Sequence, residues 1–75
     1  MTDRALLLEH LDQSKSHLEI GASNIAKQQK LIATLERDGE NAVEAHRTLA
    51  TFERIQAQAV VDHEHVEREL AQTEY

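Results

Sequence analysis

The chain contains no cysteine and no proline, and only two glycines, among its 75 residues. The absence of cysteine excludes disulfide bonds and thiolate metal sites, which commonly stabilise very small domains. The absence of proline, together with abundant Ala, Leu, Glu, Gln, Lys and Arg, favours long uninterrupted helices. Aromatic residues are nearly missing, since Phe52 and Tyr75 are the only two, so a deep ligand pocket would lack large side chains.

Long hydrophobic runs and net positive charge are also missing. The apolar run at residues 6–8 is far too short for a signal peptide or a membrane span, so we expect no membrane partner and a cytoplasmic location. The formal charge is −6. Residues 1–26 and 55–75, called the free end below, carry nine acidic and three basic side chains, whereas residues 27–54, the turn end, carry five of each. Phosphate backbones would be repelled, and no nucleic-acid partner is expected.

The sequence does contain a mirror symmetry of apolar residues about Asp38 and Gly39. Leu7 and Leu70 stand equally far from this point, and the same is true of further pairs along the chain. These pairs are Leu11 with Val66, Leu18 with Ala59, Ile25 with Phe52, Ile32 with Ala45, and Leu35 with Ala42. Within each half the apolar residues follow one another at intervals of three and four, as in supercoiled amphipathic helices. The sequence therefore predicts an all-α fold, a two-helix antiparallel hairpin of coiled-coil type.

Helix-end signals give the expected boundaries of a single domain spanning residues 1–75. We predict helices over residues 3–37 and 41–72, with the turn at 38–40. Thr2 or Asp3 is the expected N-cap of the first helix, and Gly39 suits the left-handed conformation that ends it. Asn41 and Glu44 together resemble a capping box for the second helix.

Two helices alone cover only part of each other's apolar stripe, and oligomerisation is the usual remedy. We expect a homodimer that forms a four-helix bundle, with the acidic free end of one subunit beside the neutral turn end of the other. The seam residues expected to carry this assembly are Leu11, Leu18, Ile25, Ile32, Leu49, Phe52, Val66 and Leu70. Flanking residues expected to meet the second subunit are Leu8, Ala22, Leu31, Ile55 and Val60, whereas Ile20 and Val61 lie outside the seam and its flanks. Phe52→Ala should cost about 3 kcal/mol or more.

Three layers of the seam are polar. Ser14 stands opposite His63, Gly21 opposite Gln56, and Gln28 opposite Leu49. Polar seam residues suit the fixing of register and oligomeric state, at some cost in stability. A polar functional cavity and a local unwinding at Gly21 are the alternative interpretations.

The chain has five histidines, which could bind metal, titrate or accept phosphate. In an antiparallel hairpin, His10 falls beside Glu69 and His17 beside Asp62, which predicts two partly exposed ion pairs of small energetic value. His63 and His65 are two residues apart and point to different helix faces. The sequence therefore predicts no metal site and no cofactor.

The segment Ser16-His17-Leu18-Glu19-Ile20-Gly21-Ala22-Ser23 resembles histidine phosphotransfer domains, in which a glycine and small residues follow four positions after the histidine. Ser16-His17 also resembles, more weakly, the phosphoacceptor motif of dimeric sensor kinases. The resemblance implies His17 as a phosphoacceptor. It departs at Ile20, where phosphotransfer domains have a basic residue, and at Leu18, where sensor kinases have an acidic one.

Residues 25–39 followed by Ala45, Leu49 and Phe52-Glu53 fit the pattern I-x-x-Q-x-x-x-I-x-x-L-E-x-x-G, then A-x-x-x-L-x-x-F-E. This stretch resembles a family of small alphaproteobacterial helical proteins, and the likeness covers about residues 18–70. The family carries no assigned activity, so the resemblance implies a helical hairpin and no mechanism.

No phosphate-binding loop and no catalytic motif of fixed spacing is present. We therefore expect a non-enzymatic helical module that homodimerises and acts in protein interaction or regulation. One alternative is phosphotransfer signalling through His17. A second is an RNA-binding hairpin dimer like the plasmid copy-number regulator of the same architecture, which would need a basic face that this sequence lacks.

Overall fold

The computed structural model describes residues 3–73, which form two helices joined by a short turn. Helix α1 spans Arg4–Arg37 and helix α2 spans Val43–Gln72. The helices pack along their whole length as an antiparallel pair, which gives a rod of 58 × 14 × 13 Å. The predicted all-α antiparallel hairpin is thereby confirmed. Within residues 3–73, neither helix combines the length and the apolar character needed to cross a membrane.

Both ends of α1 are closed by local hydrogen bonds. Asp3 is the N-cap, because its side chain accepts a hydrogen bond of 3.0 Å from the backbone N–H of Ala5; the alternative cap, Thr2, lies outside the described residues. At the other end Gly39 has φ +72°, a left-handed conformation in which residues with a Cβ are strained. Its neighbour Glu40 donates a 2.8 Å hydrogen bond to the carbonyl of Leu35, completing a Schellman motif.

Helix α2 begins at Val43, two residues later than predicted. Its N-cap is Ala42 (φ −106°), which provides no side-chain cap. Asn41 accepts a 2.9 Å hydrogen bond from the N–H of Val43, so it caps from one position further out. Glu44 does not reach back, because it pairs with Arg47 at 2.7 Å. The physical reason is packing: Ala42 belongs to the buried cluster around Ile32 and takes a turn conformation there.

The burial pattern follows the intervals of three and four residues that the sequence shows. Among residues 3–73 the buried apolar side chains are Leu7, Ile32, Ala42, Ala45 and Leu70. Other seam residues are only half-buried, namely Leu11, Leu18, Ile25, Leu49, Phe52 and Val66. In a single hairpin, the two helices therefore cover the seam residues only partly, and the sides of the hairpin stay open to solvent.

Several large apolar side chains remain exposed on the two sides of the hairpin. The most exposed are Ile55 at 61% and Ile20 at 59%. The others are Leu6, Leu8, Leu31, Val43, Val60 and Val61, each at least 40% exposed. These residues include four of the five flanking positions for which the sequence predicts contact with a second subunit.

Candidate functional site

The outer polar layer joins the two helices through a serine and a histidine. Ser14 Oγ lies 2.7 Å from His63 Nδ1 and donates a 2.8 Å hydrogen bond to the carbonyl of Leu11. His63 Nε2 in turn lies 3.3 Å from Glu67 Oε1. Because the serine proton is directed to the carbonyl of Leu11, the hydroxyl oxygen of Ser14 accepts a hydrogen bond from His63 in the tautomer that carries its proton on Nδ1.

The chain of contacts from Ser14 through His63 to Glu67 has the order of a nucleophile, a base and an orienting carboxylate. Here the serine lies between the helices and its hydroxyl is directed to a backbone carbonyl. The surrounding backbone N–H groups are within helices, where they bond to the preceding turn, so no oxyanion hole is formed. We interpret the contacts from Ser14 through His63 to Glu67 as a structural connection between α1 and α2. Sequence analysis predicted the Ser14–His63 layer but missed Glu67, although its spacing of four residues from His63 is a helical-pair signal.

The middle polar layer rests on close contact between a glycine and a glutamine. Gln56 Nε2 donates a 3.0 Å hydrogen bond to the carbonyl of Leu18. Its side-chain oxygen lies against Gly21, where an added Cβ would overlap it. That oxygen is buried and accepts no hydrogen bond from the described part of the chain. Gly21 stays helical, so the local unwinding considered for this position does not occur.

The inner polar layer makes a different contact from the one expected. Gln28 stands at the level of Leu49, but its Nε2 donates a 2.9 Å hydrogen bond to the carbonyl of Ala45. Leu49 instead packs against the apolar cluster of Ile32, Ala42 and Ala45. In each of the three layers, a polar side chain of one helix contacts a side chain or a backbone carbonyl of the other helix. These contacts hold α1 and α2 at defined relative positions.

A groove of about 410 Å³ opens beside the Gly21 layer, between α1 and α2. It is lined by His17, Ile20, Gly21, Asn24, Ile55, Gln56, Gln58, Ala59 and Asp62. Gly21 and Gln56 line its floor, where the Gln56 side-chain oxygen occupies the space that a Cβ of residue 21 would take, while Ile20 and Ile55 supply apolar walls. Sequence reasoning missed this groove; the signal that could have revealed it is Ile20, an apolar residue outside the seam and directly beside the seam glycine.

The two histidine–carboxylate pairs predicted across the hairpin do not form within residues 3–73. Glu69 pairs instead with His65 at 2.6 Å, and Asp62 accepts a 3.0 Å hydrogen bond from Gln58. Both carboxylates thus use a partner four residues away on their own helix, which is nearer than a side chain on the opposite helix. His17 is exposed and lines the groove near Asp62.

Metal ligands do not converge in the part of the chain that the structure describes. No group of three His, Asp or Glu side chains there could hold an ion. The remaining cross-turn pair, His46 Nε2 with Glu36 Oε2 at 3.5 Å, joins two exposed side chains and contributes little to stability.

Comparison of the chain with protein-family models, with curated proteins and with solved structures gives no significant match. The likeness to alphaproteobacterial helical proteins therefore stays a prediction, and so does the phosphotransfer resemblance around His17.

Proposed function

We propose that this chain is a non-enzymatic helical interaction module that works as a homodimer, with two hairpins forming a four-helix bundle. The observation that carries the proposal is the set of large apolar side chains left exposed on the sides of the hairpin, led by Ile20 and Ile55. Ile20 and Ile55 line the same groove, and exposed apolar side chains that lie together in this way are typical of an interface.

The thinness of the hairpin supports the same proposal. No side chain in residues 3–73 is completely buried, and even the best-shielded, Leu7, retains 4% exposure. Full burial of a Leu or Ile side chain contributes roughly 1.5–3 kcal/mol, so a second hairpin over the half-buried seam would add substantially to stability. Small all-α proteins commonly obtain this burial by packing two hairpins into a four-helix bundle.

Solution mass tests the proposal directly. Light scattering or sedimentation equilibrium should give twice the 8.5 kDa of the chain at micromolar concentration, with dissociation on dilution. The melting temperature should rise with protein concentration, because association stabilises the folded state by mass action. A mass of one chain at all concentrations, with a concentration-independent melting temperature, would overturn the homodimer.

A second candidate is phosphotransfer through His17, and one structural observation favours it. His17 is exposed, and Gly21, one turn later, lines the same groove. The imidazole of His17 is therefore accessible to a receiver domain that approaches from the groove side. Incubation with a phosphorylated receiver domain should label the wild type and not the His17→Ala variant; absence of label, or label that survives His17→Ala, would remove this candidate.

A further inference from the structure

The groove lies at the midpoint of the hairpin. Ile20 and Gly21 are the central residues of the 34 in α1, and Gln58 is at the centre of the 30 in α2. All three line the groove. In a symmetric antiparallel dimer whose subunits overlap along their whole length, the two-fold axis lies between the subunits at the level of their midpoints, so a surface at the midpoint meets its own copy. A patch displaced toward either end would meet a different surface instead.

The lining of the groove is mainly apolar. Ile55 and Ile20, on its two walls, are the most exposed large apolar side chains in residues 3–73. Across a central two-fold axis, the isoleucines of one copy stand at the level of the isoleucines of the other. The groove then offers each copy a recess for the other's protruding side chains.

Charges on the same face are complementary in the antiparallel direction. Lys27 follows Ile20 by seven residues and Asp62 follows Ile55 by seven, so each shares the face of its isoleucine. Because the helices run oppositely, Lys27 lies about 10 Å toward the turn end and Asp62 about 10 Å toward the free end. Reversal of the second copy brings its Lys27 to the level of Asp62 in the first, whereas parallel stacking would bring the two acidic free ends together.

The small-residue face on the other side of the hairpin lacks this self-complementarity. The apolar residues of its two central rows lie mostly toward the turn end, whereas Leu8, Ala22 and Val60 flank these rows in the free end; the residues toward the turn end are Ala26, Ala33, Val43, Ala50 and Ala57. The same two heptad rows continue toward the free end as Asp12 and Glu19 on α1 and as Glu64 on α2. An antiparallel dimer on that face would cover alanines with carboxylates, which loses the hydration of the charges without pairing them.

We infer that the side of the hairpin that carries the groove, with Ile20, Ile55, Lys27 and Asp62, is the dimer interface; we call it the groove face. It packs against the groove face of a second copy, whose long axis runs antiparallel to that of the first. The inference rests on the proposed homodimer and adds which face is used and in which direction. It revises the set of flanking residues expected from sequence, because Ile55 and Leu31 share the interface with Ile20, whereas Leu8, Ala22 and Val60 lie on the opposite side.

Cysteine cross-linking tests both face and direction, since the native chain has no cysteine. The three variants Gln13→Cys, Ile20→Cys and Lys27→Cys place a thiol at successive heptads of one row of α1. Under mild oxidation Ile20→Cys should cross-link to itself, because it stands beside the two-fold axis. Gln13→Cys and Lys27→Cys should each fail alone but cross-link efficiently when mixed, because reversal places residue 13 of one copy against residue 27 of the other.

The outcomes separate the inference from the proposal beneath it. If the wild type has the mass of two chains but Ile20→Cys fails to cross-link, or Gln13→Cys and Lys27→Cys each cross-link to themselves, the assigned face or direction is wrong and the homodimer stands. If the wild type has the mass of a single chain, the proposed function fails, and the inference fails with it.

A matched pair of charge insertions gives an independent test. Ile55→Glu should raise the dissociation constant of the dimer at least about a hundredfold, because it buries a carboxylate against apolar side chains. Ala50→Glu, an equal charge change on the small-residue face, should leave the dissociation constant within about threefold. Circular dichroism at high protein concentration checks that both remain helical. A dimer that survives Ile55→Glu but is lost in Ala50→Glu would assign the interface to the small-residue face.

Discussion

The turn end and the free end of this hairpin share one heptad spacing, yet different contacts hold them together. Near the turn, Ile32, Ala42 and Ala45 form a buried apolar cluster. In the free end, Leu7 and Leu70 are buried near the tip, and the layers between them and the turn end join the helices by hydrogen bonds, from Ser14–His63 and from Gln56. Apolar contacts supply stability without direction, whereas a hydrogen bond is made only at one distance and angle. The turn end therefore holds the buried apolar cluster, and the free end holds two of the three polar layers that define the register.

The largest effect should come from the apolar cluster near the turn. Ile32→Ala should lower the free energy of unfolding by about 3 kcal/mol, because it removes buried methylenes and leaves a cavity. Val61→Ala, at a side chain that is 55% exposed, should cost about 0.5 kcal/mol or less. Urea unfolding followed by circular dichroism measures both. Equal losses in the two variants would show that the cluster does not anchor the fold.

The left-handed turn gives the next largest effect. Gly39→Ala should cost about 1–2 kcal/mol, because a Cβ is strained at φ +72°. No neighbouring atom lies within 4 Å of an added Cβ, so the loss reports backbone strain alone. Gly39→Asn is the matched control and should lose less, since asparagine tolerates this conformation. A neutral Gly39→Ala in thermal unfolding would contradict the assigned turn geometry.

In the Gly21–Gln56 layer of the free end, we expect the effect on stability of a substitution at residue 21 to depend on the residue at position 56. Gly21→Ala gains about 1 kcal/mol of helix propensity but displaces the Gln56 side chain and its hydrogen bond to Leu18, which costs about as much. The single variant should thus be nearly neutral. In the Gln56→Ala background the same change meets no obstacle and should stabilise by about 1 kcal/mol. A double-mutant cycle measures the difference, and additive effects would mean that the two residues do not touch.

The smallest effect is expected at the outer polar layer. Ser14→Ala removes the partner of His63 Nδ1 in a half-buried position and should cost roughly 0.5–1.5 kcal/mol. Ser16→Ala, two residues along the same helix and exposed, is the control and should be within about 0.5 kcal/mol of the wild type. If chemical denaturation gives identical values for the two variants, this layer contributes no specific contact.

The hairpin could be predicted from sequence because seam periodicity and turn chemistry are local properties. Gly39 identified the turn, and the apolar spacing identified two helices of opposite direction. The start of α2 could not be predicted in the same way, because Ala42 is held in the turn by packing against Ile32, a contact between residues distant in the helical pattern. A local capping rule gives no weight to such a contact.

The groove and the histidine partners show a second limit. The groove lies between Ile20 of α1 and Ile55 of α2, two residues outside the seam rows, and a seam assignment considers only those rows. Glu69 and Asp62 were assigned partners across the hairpin from register alone. In the structure each is bound to a nearer side chain on its own helix, His65 and Gln58, because four-residue neighbours compete for the same carboxylate.

The mirror symmetry of the seam also determines the order in which the contacts between the two helices form during folding. Leu35 and Ala42 meet after a loop of only a few residues, whereas Ser14 and His63 are 49 residues apart. Loop closure costs more entropy as the loop grows, so contacts that begin beside Gly39 bring each following layer within reach. The contacts between the helices should therefore form first beside the turn and last at the free end, and they should open first at the free end. Amide hydrogens around Ile32 and Leu49, which are bonded within the helices next to the apolar cluster, would then exchange with solvent slowest, and those near residues 3 and 73 fastest.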